Sequence, residues 1–234
     1  MRITWFGHSA FRIETGKAVV MIDPFLSGNP TWEGSVEDAA AGATHVVLTH
    51  GHDDHIGDTV DICTRNGAQL VANFEICMYL AGKGVENFSP GNHGGEIDCG
   101  DFTAAYVPAW HSSSTIVDGT PVYMGNPAGV VILPKTKGDP VVYHAGDTCA
   151  FSDMALIDEF YAPSVGIVPV GDRFTMGPRA AAFACMRYFN FETVIPCHYG
   201  TFPIIEPSAD PFVKEMHGSQ ARVVVPNRGE PVEL

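Results

Sequence analysis

The sequence predicts an α/β fold of four layers, in which two β-sheets pack face to face and helices cover both outer faces. Short strand and helix patterns alternate in the first third of the chain, strand patterns dominate the middle, and alternation returns near the end. Two similar half-domains would give this order, because each sheet buries one face against the other sheet and one against helices. The 25 glycines and 17 prolines indicate the many turns that short strands need.

The composition predicts one well-packed domain. Of the 234 residues, 45% are hydrophobic and 17% are charged, so a sizeable core is available and disorder is disfavoured. This length suits a single sandwich domain, and neither a low-complexity linker nor a shift in composition divides the chain. We therefore expect residues 1–234 to form one domain.

The elements of the first half follow from hydrophobic periodicity and turn residues. A helical pattern begins at Asp54 and ends near Asn66, where Gly67 closes it. Residues 24–44 are predicted to form a loop. The strands are predicted at Arg2–Phe6, Ser9–Glu14, Ala18–Asp23, His45–Thr49 and Gln69–Ala72, with a second helix at 74–82.

The second half begins with strands and loops and then returns to alternation. Pro178 suits the first turn of a helix, where its missing N–H has no partner to lose. On that helix Phe183, Met186 and Phe189 have the spacing of a core face. Ser112–Asn126 reads as a polar loop. Strands are predicted at Gly95–Cys99, Phe102–Pro108, Gly129–Leu133, Val141–His144, Val165–Pro169, Val194–Pro196 and Arg222–Val225, and helices at 153–160 and 178–189.

The segment from His50 to His55 places metal-binding side chains directly after a buried strand, where α/β folds put ligand-binding loops. His50 and His52 alternate, which directs two imidazoles at one point, while Asp54 and His55 offer a carboxylate and an imidazole to a neighbouring point. Such donors suit Zn²⁺, Mn²⁺, Ni²⁺ or Fe²⁺. Taken alone, the segment is also compatible with a His-rich surface turn.

Three further residues with metal-binding side chains follow apolar strands later in the chain. They are His111, Asp147 and His198. Each additional donor at a strand end weakens the interpretation as a surface turn. Together with the segment from His50 to His55, they predict a metal centre assembled from strand ends.

This ordered set, His-x-His-x-Asp-His followed by His, Asp and His, resembles the ligand set of the metallo-β-lactamase superfamily. The resemblance extends over nearly the whole chain. It implies the αββα metallo-β-lactamase fold and two divalent metal ions, with Zn²⁺ favoured and Mn²⁺, Ni²⁺ or Fe²⁺ as alternatives. It also implies the ligands: His50, His52 and His111 for the first metal, Asp54, His55 and His198 for the second, and Asp147 as the bridge.

A narrower resemblance rests on short motifs around these ligands. They are similar to motifs in a subfamily of small bacterial metal-dependent hydrolases, which itself resembles the L-ascorbate-6-phosphate lactonase group. The resemblance implies a homo-oligomer and favours a lactonase-like activity. The motifs are Trp5–Ser9, Ile22–Pro24, Tyr143–Thr148, Gly171–Pro178 and Pro196–Pro203.

Five residues outside the ligand set are candidates for supporting roles. The resemblance implies that Asp23, at a strand end, braces the segment from His50 to His55, which we call the metal loop. His8 is a candidate proton donor or substrate contact, with a hydrogen-bonded structural role as an equal alternative. His144 is expected to pack or to support the ligands. Arg173 and Thr175 are candidates for fixing a substrate carboxylate or phosphate, although an outward salt bridge fits Arg173 equally well.

The ligands predict a hydrolase that needs no protein nucleophile. Ligating histidines are neutral, so Asp54 and Asp147 oppose the charge of two divalent metals, and one bridging hydroxide leaves the cluster at about +1. That hydroxide would attack a carbonyl carbon or a phosphorus, with Asp54, Asp147 and His8 as the candidate catalytic residues. A small lactone, ester, amide or phosphoester is the expected substrate, and the positive cluster is compatible with an anionic one.

The formal net charge of −14 weighs against a nucleic-acid phosphodiesterase, because the 13 Lys and Arg residues are scattered along the chain. A non-catalytic metal-binding protein is the other alternative, and the complete ligand set argues against it. No targeting signal and no apolar run of about 18 residues is seen, so we expect a cytoplasmic protein without a membrane partner. Cys149 and Cys197, near proposed ligands, are predicted to pack in the core.

Overall fold

A computed structural model describes residues 1–234. Two seven-stranded sheets pack face to face with helices outside them, which confirms the αββα sandwich. The strands are β1 (Arg2–Trp5), β2 (Phe11–Thr15), β3 (Ala18–Ile22), β4 (His45–Val47), β5 (Gln69–Asn73), β6 (Phe88–Gly91), β7 (Glu96–Asp98), β8 (Phe102–Pro108), β9 (Ser114–Val117), β10 (Thr120–Tyr123), β11 (Ala128–Pro134), β12 (Val142–His144), β13 (Val165–Pro169), β14 (Thr193–Cys197), β15 (Arg222–Val223) and β16 (Pro231–Glu233). The helices are α1 (Val36–Ala39), α2 (Asp53–Ile56), α3 (Thr59–Asn66), α4 (Phe74–Ala81), α5 (Met154–Tyr161), α6 (Pro178–Tyr188) and α7 (Asp210–Glu215).

The sheet topology brings several strand ends to one edge. The first sheet has the order β16-β1-β2-β3-β4-β5-β6, with β3 to β6 parallel. The second has the order β15-β14-β13-β12-β11-β8-β7, with β12 to β15 parallel. Because β11 is antiparallel to both β8 and β12, those two strands run in the same direction. The carboxyl ends of β8, β12 and β14 therefore share one edge, as do those of β3 and β4.

Strand alternation divides the core into layers. Along β3, Ile22 belongs to the cluster between the sheets, whereas Met21 belongs to the cluster under the helices of the first half. Ile76 of α4 packs in that outer cluster. On the opposite side of the molecule, Ala181 of α6 packs in the cluster that includes the second sheet. Burying both faces of each sheet holds the strand ends in fixed relative positions.

The helix predicted from Asp54 to Asn66 is two helices, α2 and α3, and the break has a clear cause. Gly57 adopts φ 43°, and a Cβ on it would lie 2.4 Å from the carbonyl oxygen of Pro24. The carboxylate of Asp58 accepts hydrogen bonds from the N–H groups of Leu26 and Ser27, both at 2.9 Å. The chain thus leaves helical geometry at this point to hold the neighbouring loop.

Several short elements are absent from the sequence prediction. Helix α1 lies in the predicted loop 24–44, and the hairpin of β9 and β10 lies in the predicted loop Ser112–Asn126. Strands β6 and β16 exist through pairing with β5 and β1, and such pairing leaves little periodic signal in two to four residues. The longest helix, α6, has 11 residues, so no helix is long enough to cross a membrane.

The predicted core face of α6 is wrong for two of its three residues. Phe183 is 54% exposed and Met186 is 51% exposed, whereas Phe189 is buried. The buried residues of α6 are Ala181, Ala182, Ala184 and Cys185. Small side chains let the helix lie close to the sheet, and this places the larger ones at its outer side.

Cys149 also departs from the prediction, since it is exposed, while Cys197 is buried as expected. The four remaining cysteines are buried too, and burial raises the pKa of Cys63, Cys77 and Cys185 to about 12. Because the thiolate is the reactive form, we expect one fast-reacting thiol per native chain in a DTNB assay. Cys149→Ser should remove that fast phase, and any fast-reacting thiol left in this variant would contradict the packing described.

Candidate metal centre

The candidate metal centre lies where these strand ends meet, around the buried carboxylate of Asp147 that follows β12. Its Oδ2 lies 3.0 Å from Nε2 of His198 and 3.4 Å from Nε2 of His55. The same oxygen lies 3.6 Å from Nε2 of His111 and 4.0 Å from Nε2 of His50. One carboxylate oxygen thus contacts histidines of both predicted ligand groups, which is the arrangement expected of a bridging residue.

His50, His52 and His111 form the first group, with ligand atoms all within 4.8 Å of one another. Nε2 of His50 lies 2.9 Å from Nδ1 of His52. Gly51 permits this close turn, because a Cβ at its position would lie 2.1 Å from Cβ of Met124. The sequence prediction that these histidines meet at one point therefore agrees with the geometry.

Asp54, His55 and His198 form the second group, and its ligand atoms also lie within 4.8 Å of one another. Asp54 and His55 occupy the first turn of α2, while His198 follows β14 with φ 58°. The same group contains His8, whose carbonyl oxygen accepts a hydrogen bond from the N–H of His198 at 2.9 Å. Ligands from both sheets therefore meet in this group.

Asp23 lies behind the histidines, in a position that suits the bracing role implied by the resemblance. It is fully buried. Its Oδ2 accepts hydrogen bonds from Nδ1 of His55 at 2.8 Å and from the Thr49 hydroxyl at 2.6 Å. That hydroxyl lies 3.0 Å from Nδ1 of His50 and can accept its proton. His50 then keeps an unprotonated Nε2 that faces Asp147, the form a metal requires. His55 directs the same ring nitrogen at Asp147, and a metal bound there would displace its proton.

The donor set fits two divalent metals. Nε2 of His55 and Oδ1 of Asp147 are buried without a hydrogen-bond partner, and such atoms are rare unless something else binds them. Burial holds the pKa of His50 well below its ordinary value, so its imidazole is neutral. Burial would raise the pKa of Asp147, but His198 and His55 outweigh this effect and hold it well below its ordinary value. Imidazole and carboxylate donors accept Zn²⁺, Mn²⁺, Ni²⁺ and Fe²⁺.

His8 lies beneath Asp54 and has no exposed surface. Burial, with His198 nearby, lowers the pKa of His8 to about 4, so the ring is neutral at pH 7. A neutral ring donates through Nε2 to Oδ2 of Asp54 at 3.0 Å, and Nδ1 then accepts the Thr201 hydroxyl proton at 3.1 Å. This geometry favours positioning of Asp54 over direct substrate contact, and proton donation by His8 stays a prediction.

The remaining candidates lie farther from the ligand cluster. His144 is fully buried, and its Nδ1 accepts the N–H of Gly146 at 3.1 Å, which fits support of the turn before Asp147. Arg173 is exposed, with its guanidinium carbon 5.7 Å from the ring centroid of Phe174. The structure does not bring Arg173 or Thr175 to the wall of the metal cavity, so their contact with substrate stays a prediction.

A cavity of about 380 Å³ opens onto the ligand cluster. Two aromatic side chains on its wall, Phe174 and Phe202, were not predicted as site residues, although both lie inside motifs of the narrower resemblance. Nothing in their local sequence marks them as pocket residues, because loop folding alone brings them to the site. The lining residues are His52, Asp54, His111, Ser112, Asp147, Phe174, His198 and Phe202.

Asp23→Asn is expected to weaken metal binding by about 10- to 100-fold. The amide lacks the negative charge that orients His55, and its NH2 group replaces an oxygen that accepts at least one of the three hydrogen bonds made to Asp23. Competitive titration with a chromophoric chelator measures this change. Asp61→Asn, on an exposed part of α3, is the control. Unchanged metal affinity in a folded Asp23→Asn protein would show that Asp23 does not brace the ligands.

Comparison with known proteins identifies the family of this chain. A model of the beta-lactamase superfamily domain matches residues 2–198. A UPF0173 metal-dependent hydrolase of Methylocella silvestris is 59% identical over 229 residues, which cover 98% of each chain. A protein of the same description from Chelativorans sp. is 56% identical over 236 residues, with full coverage of both chains.

Solved structures give the same result. Igni18, a metallo hydrolase from the hyperthermophilic archaeon Ignicoccus hospitalis, superposes with a TM-score of 0.86 at 36% identity, covering 99% of this chain and 97% of that one. An isothiocyanate hydrolase from Delia radicum gut bacteria has a TM-score of 0.78 at 17% identity over 100% of this chain and 99% of that one, which shows the shared fold alone.

The chain therefore belongs to the metallo-β-lactamase superfamily. Within that superfamily, its similarity over the full length to the UPF0173 proteins places it among the metal-dependent hydrolases.

Proposed function

We propose that the protein is a dinuclear hydrolase of small lactones, esters, amides or phosphoesters. The observation that carries this proposal is the position of Asp147 Oδ2, within 3.0 to 4.0 Å of four histidine nitrogens drawn from both ligand groups. One metal would need only one of these groups. A carboxylate placed between two complete groups supports two metals at one site.

The mechanism divides the work between the metals and the chain. When bound, two divalent metals lower the pKa of water from about 15.7 towards 7 and polarise the bond that is cleaved. His50, His52 and His111 would hold one of them. Asp54, His55 and His198 would hold the other, and Asp147 would contact both. The chain's own contribution is to keep these donors oriented and to enclose the reacting group.

Orientation comes from hydrogen bonds behind the ligands. Asp23 fixes His55 directly and His50 through Thr49. On the opposite side, His8 donates to Asp54, whose carboxylate can only accept and therefore fixes the tautomer of His8. The Thr201 hydroxyl lies within hydrogen-bond distance of the other ring nitrogen of His8. Donors held in this way need little rearrangement during reaction, which is the condition for effective electrostatic stabilisation.

The cavity supports a small substrate. Its volume of about 380 Å³ lies at the lower end of the usual range of ligand pockets. Phe174 and Phe202 form apolar parts of its wall beside the donor cluster. No Lys or Arg lines the cavity, so any preference for an anion would come from the metals themselves. Lactones are favoured only by the narrower family resemblance.

The test combines metal analysis with a substrate screen. Protein purified without chelator is analysed by mass spectrometry for metal content and then assayed on lactones, esters, amides and phosphoesters. We expect about two metals per chain and turnover of one class that EDTA abolishes and added metal restores. One metal per chain at full activity would contradict the dinuclear mechanism, and no uptake on titration would contradict the metal centre. Size-exclusion chromatography with light scattering tests the proposed homo-oligomer.

A further inference from the structure

A second cavity of about 500 Å³ lies beside the metal cavity. The two share His52, Asp54 and Phe202 on their walls. They are therefore neighbouring parts of one groove that runs past Phe202. A substrate whose reacting bond lay at the metals would extend directly into the second cavity. We call this second cavity the side pocket.

Part of the side pocket wall is apolar. Phe25, Phe202 and Ile116 line it, and the Phe25 and Phe202 ring centroids lie 6.3 Å apart. Buried His8 contacts both rings, with centroid distances of 5.8 Å and 5.3 Å. Ile116 is 55% exposed, which leaves a large apolar side chain in solvent beside the site. Such clustering near a functional centre is typical of a ligand surface.

The charges in the side pocket select against anions. Its polar wall includes the carboxylates of Asp53 and Asp54, and no Lys or Arg lines it. Asp54 would be neutralised by a metal, whereas the Asp53 carboxylate accepts a 2.5 Å hydrogen bond from the Thr115 hydroxyl and has no Lys or Arg beside it in the side pocket. An anionic group would lose hydration here without gaining a cationic partner.

The wall that carries Ile116 is attached to the metal loop. The hairpin of β9 and β10 belongs to neither main sheet. Three hydrogen bonds hold its base: from the Gly51 N–H to the Ser113 hydroxyl at 2.9 Å, from that hydroxyl to the Met124 carbonyl at 3.1 Å, and from Thr115 to Asp53. The side pocket is thus formed before a substrate binds, since its walls are fixed to the segment that carries His50 and His52.

We propose that the side pocket binds an uncharged apolar group of the substrate, an alkyl or aryl substituent attached to the carbonyl that reacts at the metals. This inference rests on the proposed function, because it assigns the substrate's reacting end to the metal centre. It gives that function a substrate class, which is neutral acyl compounds with an apolar substituent rather than compounds with an anionic substituent.

The first test is binding of alkyl hydroxamic acids, which chelate metals through the hydroxamate and carry a chain of chosen length. Isothermal titration of the metal-loaded protein with aceto-, butyro- and hexanohydroxamic acid measures the effect of the chain. Each fully buried methylene contributes about 0.8 kcal/mol, which corresponds to about fourfold in affinity. We expect affinity to rise with chain length in the wild type and succinohydroxamic acid, whose chain ends in a carboxylate, to show no gain.

Ile116→Ser and Val117→Ser form a matched pair. Successive side chains of a strand point to opposite faces, and Val117 does not line the side pocket. The increase with chain length should persist in Val117→Ser and largely disappear in Ile116→Ser, while acetohydroxamic acid binds all three proteins alike. The same variants assayed on p-nitrophenyl acetate and hexanoate should differ in KM for hexanoate, with kcat little changed.

The outcomes separate the side pocket from the metal centre. Metal-dependent binding of acetohydroxamic acid without any effect of chain length, or an equal effect in all three proteins, would overturn the side pocket and leave the proposed hydrolase intact. No binding of acetohydroxamic acid to the metal-loaded protein would overturn both. Stronger binding of the succinate-derived probe than of the neutral chain would assign the side pocket to anionic substrates and so contradict the inference.

Discussion

Asp147→Asn is expected to lower metal-dependent turnover by about 10³-fold or more. Its Oδ2 is the atom that both histidine groups share, so an amide there removes the charge that would hold the two proposed cations together. A metal contributes several kcal/mol of transition-state stabilisation, and each 1.4 kcal/mol corresponds to a factor of about ten. Initial rates on the best substrate of the screen, together with metal content, measure the effect.

Asp118→Asn is the matched control for this loss. Asp118 is exposed between β9 and β10 with φ 49°, a conformation that Asn tolerates as well as Asp. It should keep wild-type metal content and turnover. If Asp147→Asn lost its metal but kept full activity, the two-metal mechanism would be wrong. If it kept two metals and full activity, Asp147 would not be the bridge.

The sequence indicates which donor side chains come together because metal chemistry restricts the residue types and the strand ends restrict their positions. His111 and His198 are far apart in the chain, yet each follows an apolar strand. The direction of β8 and β14 then brings them to Asp147. The same logic marks Asp23 at the end of β3. For these residues, the local sequence pattern and the sheet topology predict the same position in the structure.

The surroundings of the ligands are less predictable, because their positions depend on distant loops. Phe25 and Phe202 come together only when the segments after β3 and β14 meet around His8. Ile116 lies in a segment that the sequence predicts to be a polar loop. Pairing of β9 with β10 makes it a hairpin, and hydrogen bonds attach this hairpin to the metal loop. Sequence therefore predicts the shared chemistry of the superfamily better than the features that select a substrate.

The roles of single supporting residues are also hard to predict from the sequence. His8 follows Gly7 in a motif, which permits either a role in proton transfer or a structural role. Only the structure shows its complete burial and its contacts with Asp54 and Thr201. Arg173 also lies in a motif, but its left-handed backbone at φ 52° and its exposure place it outside the cavity. A motif indicates that a residue lies near the site, but it does not show whether the side chain points into the cavity.

Removal of the metals is expected to lower the midpoint of thermal unfolding by roughly 8–16 °C at pH 8. A ligand present at a thousand times its Kd stabilises the folded state by about 4 kcal/mol, and each 1 kcal/mol shifts the midpoint by roughly 2–4 °C in a domain of this size. Differential scanning calorimetry before and after EDTA treatment and dialysis measures the difference. Restoration by added metal, and its absence in Asp147→Asn, are the controls.

This difference should shrink as the pH falls, because a proton takes the place of a metal at His55. Burial alone would lower the pKa of His55, but the carboxylates of Asp147 and Asp23 raise it well above its ordinary value of 6.5. The protonated ring therefore stabilises the metal-free protein fully below about pH 6.5, and this contribution is lost as the pH rises through the folded-state pKa. Metal binding must displace the same proton, so it stabilises the protein less in acid. Calorimetry at pH 5.5, 7 and 8.5 should show a difference that widens with pH, and a difference that is constant or widens in acid would contradict the proposed role of His55 as a metal ligand.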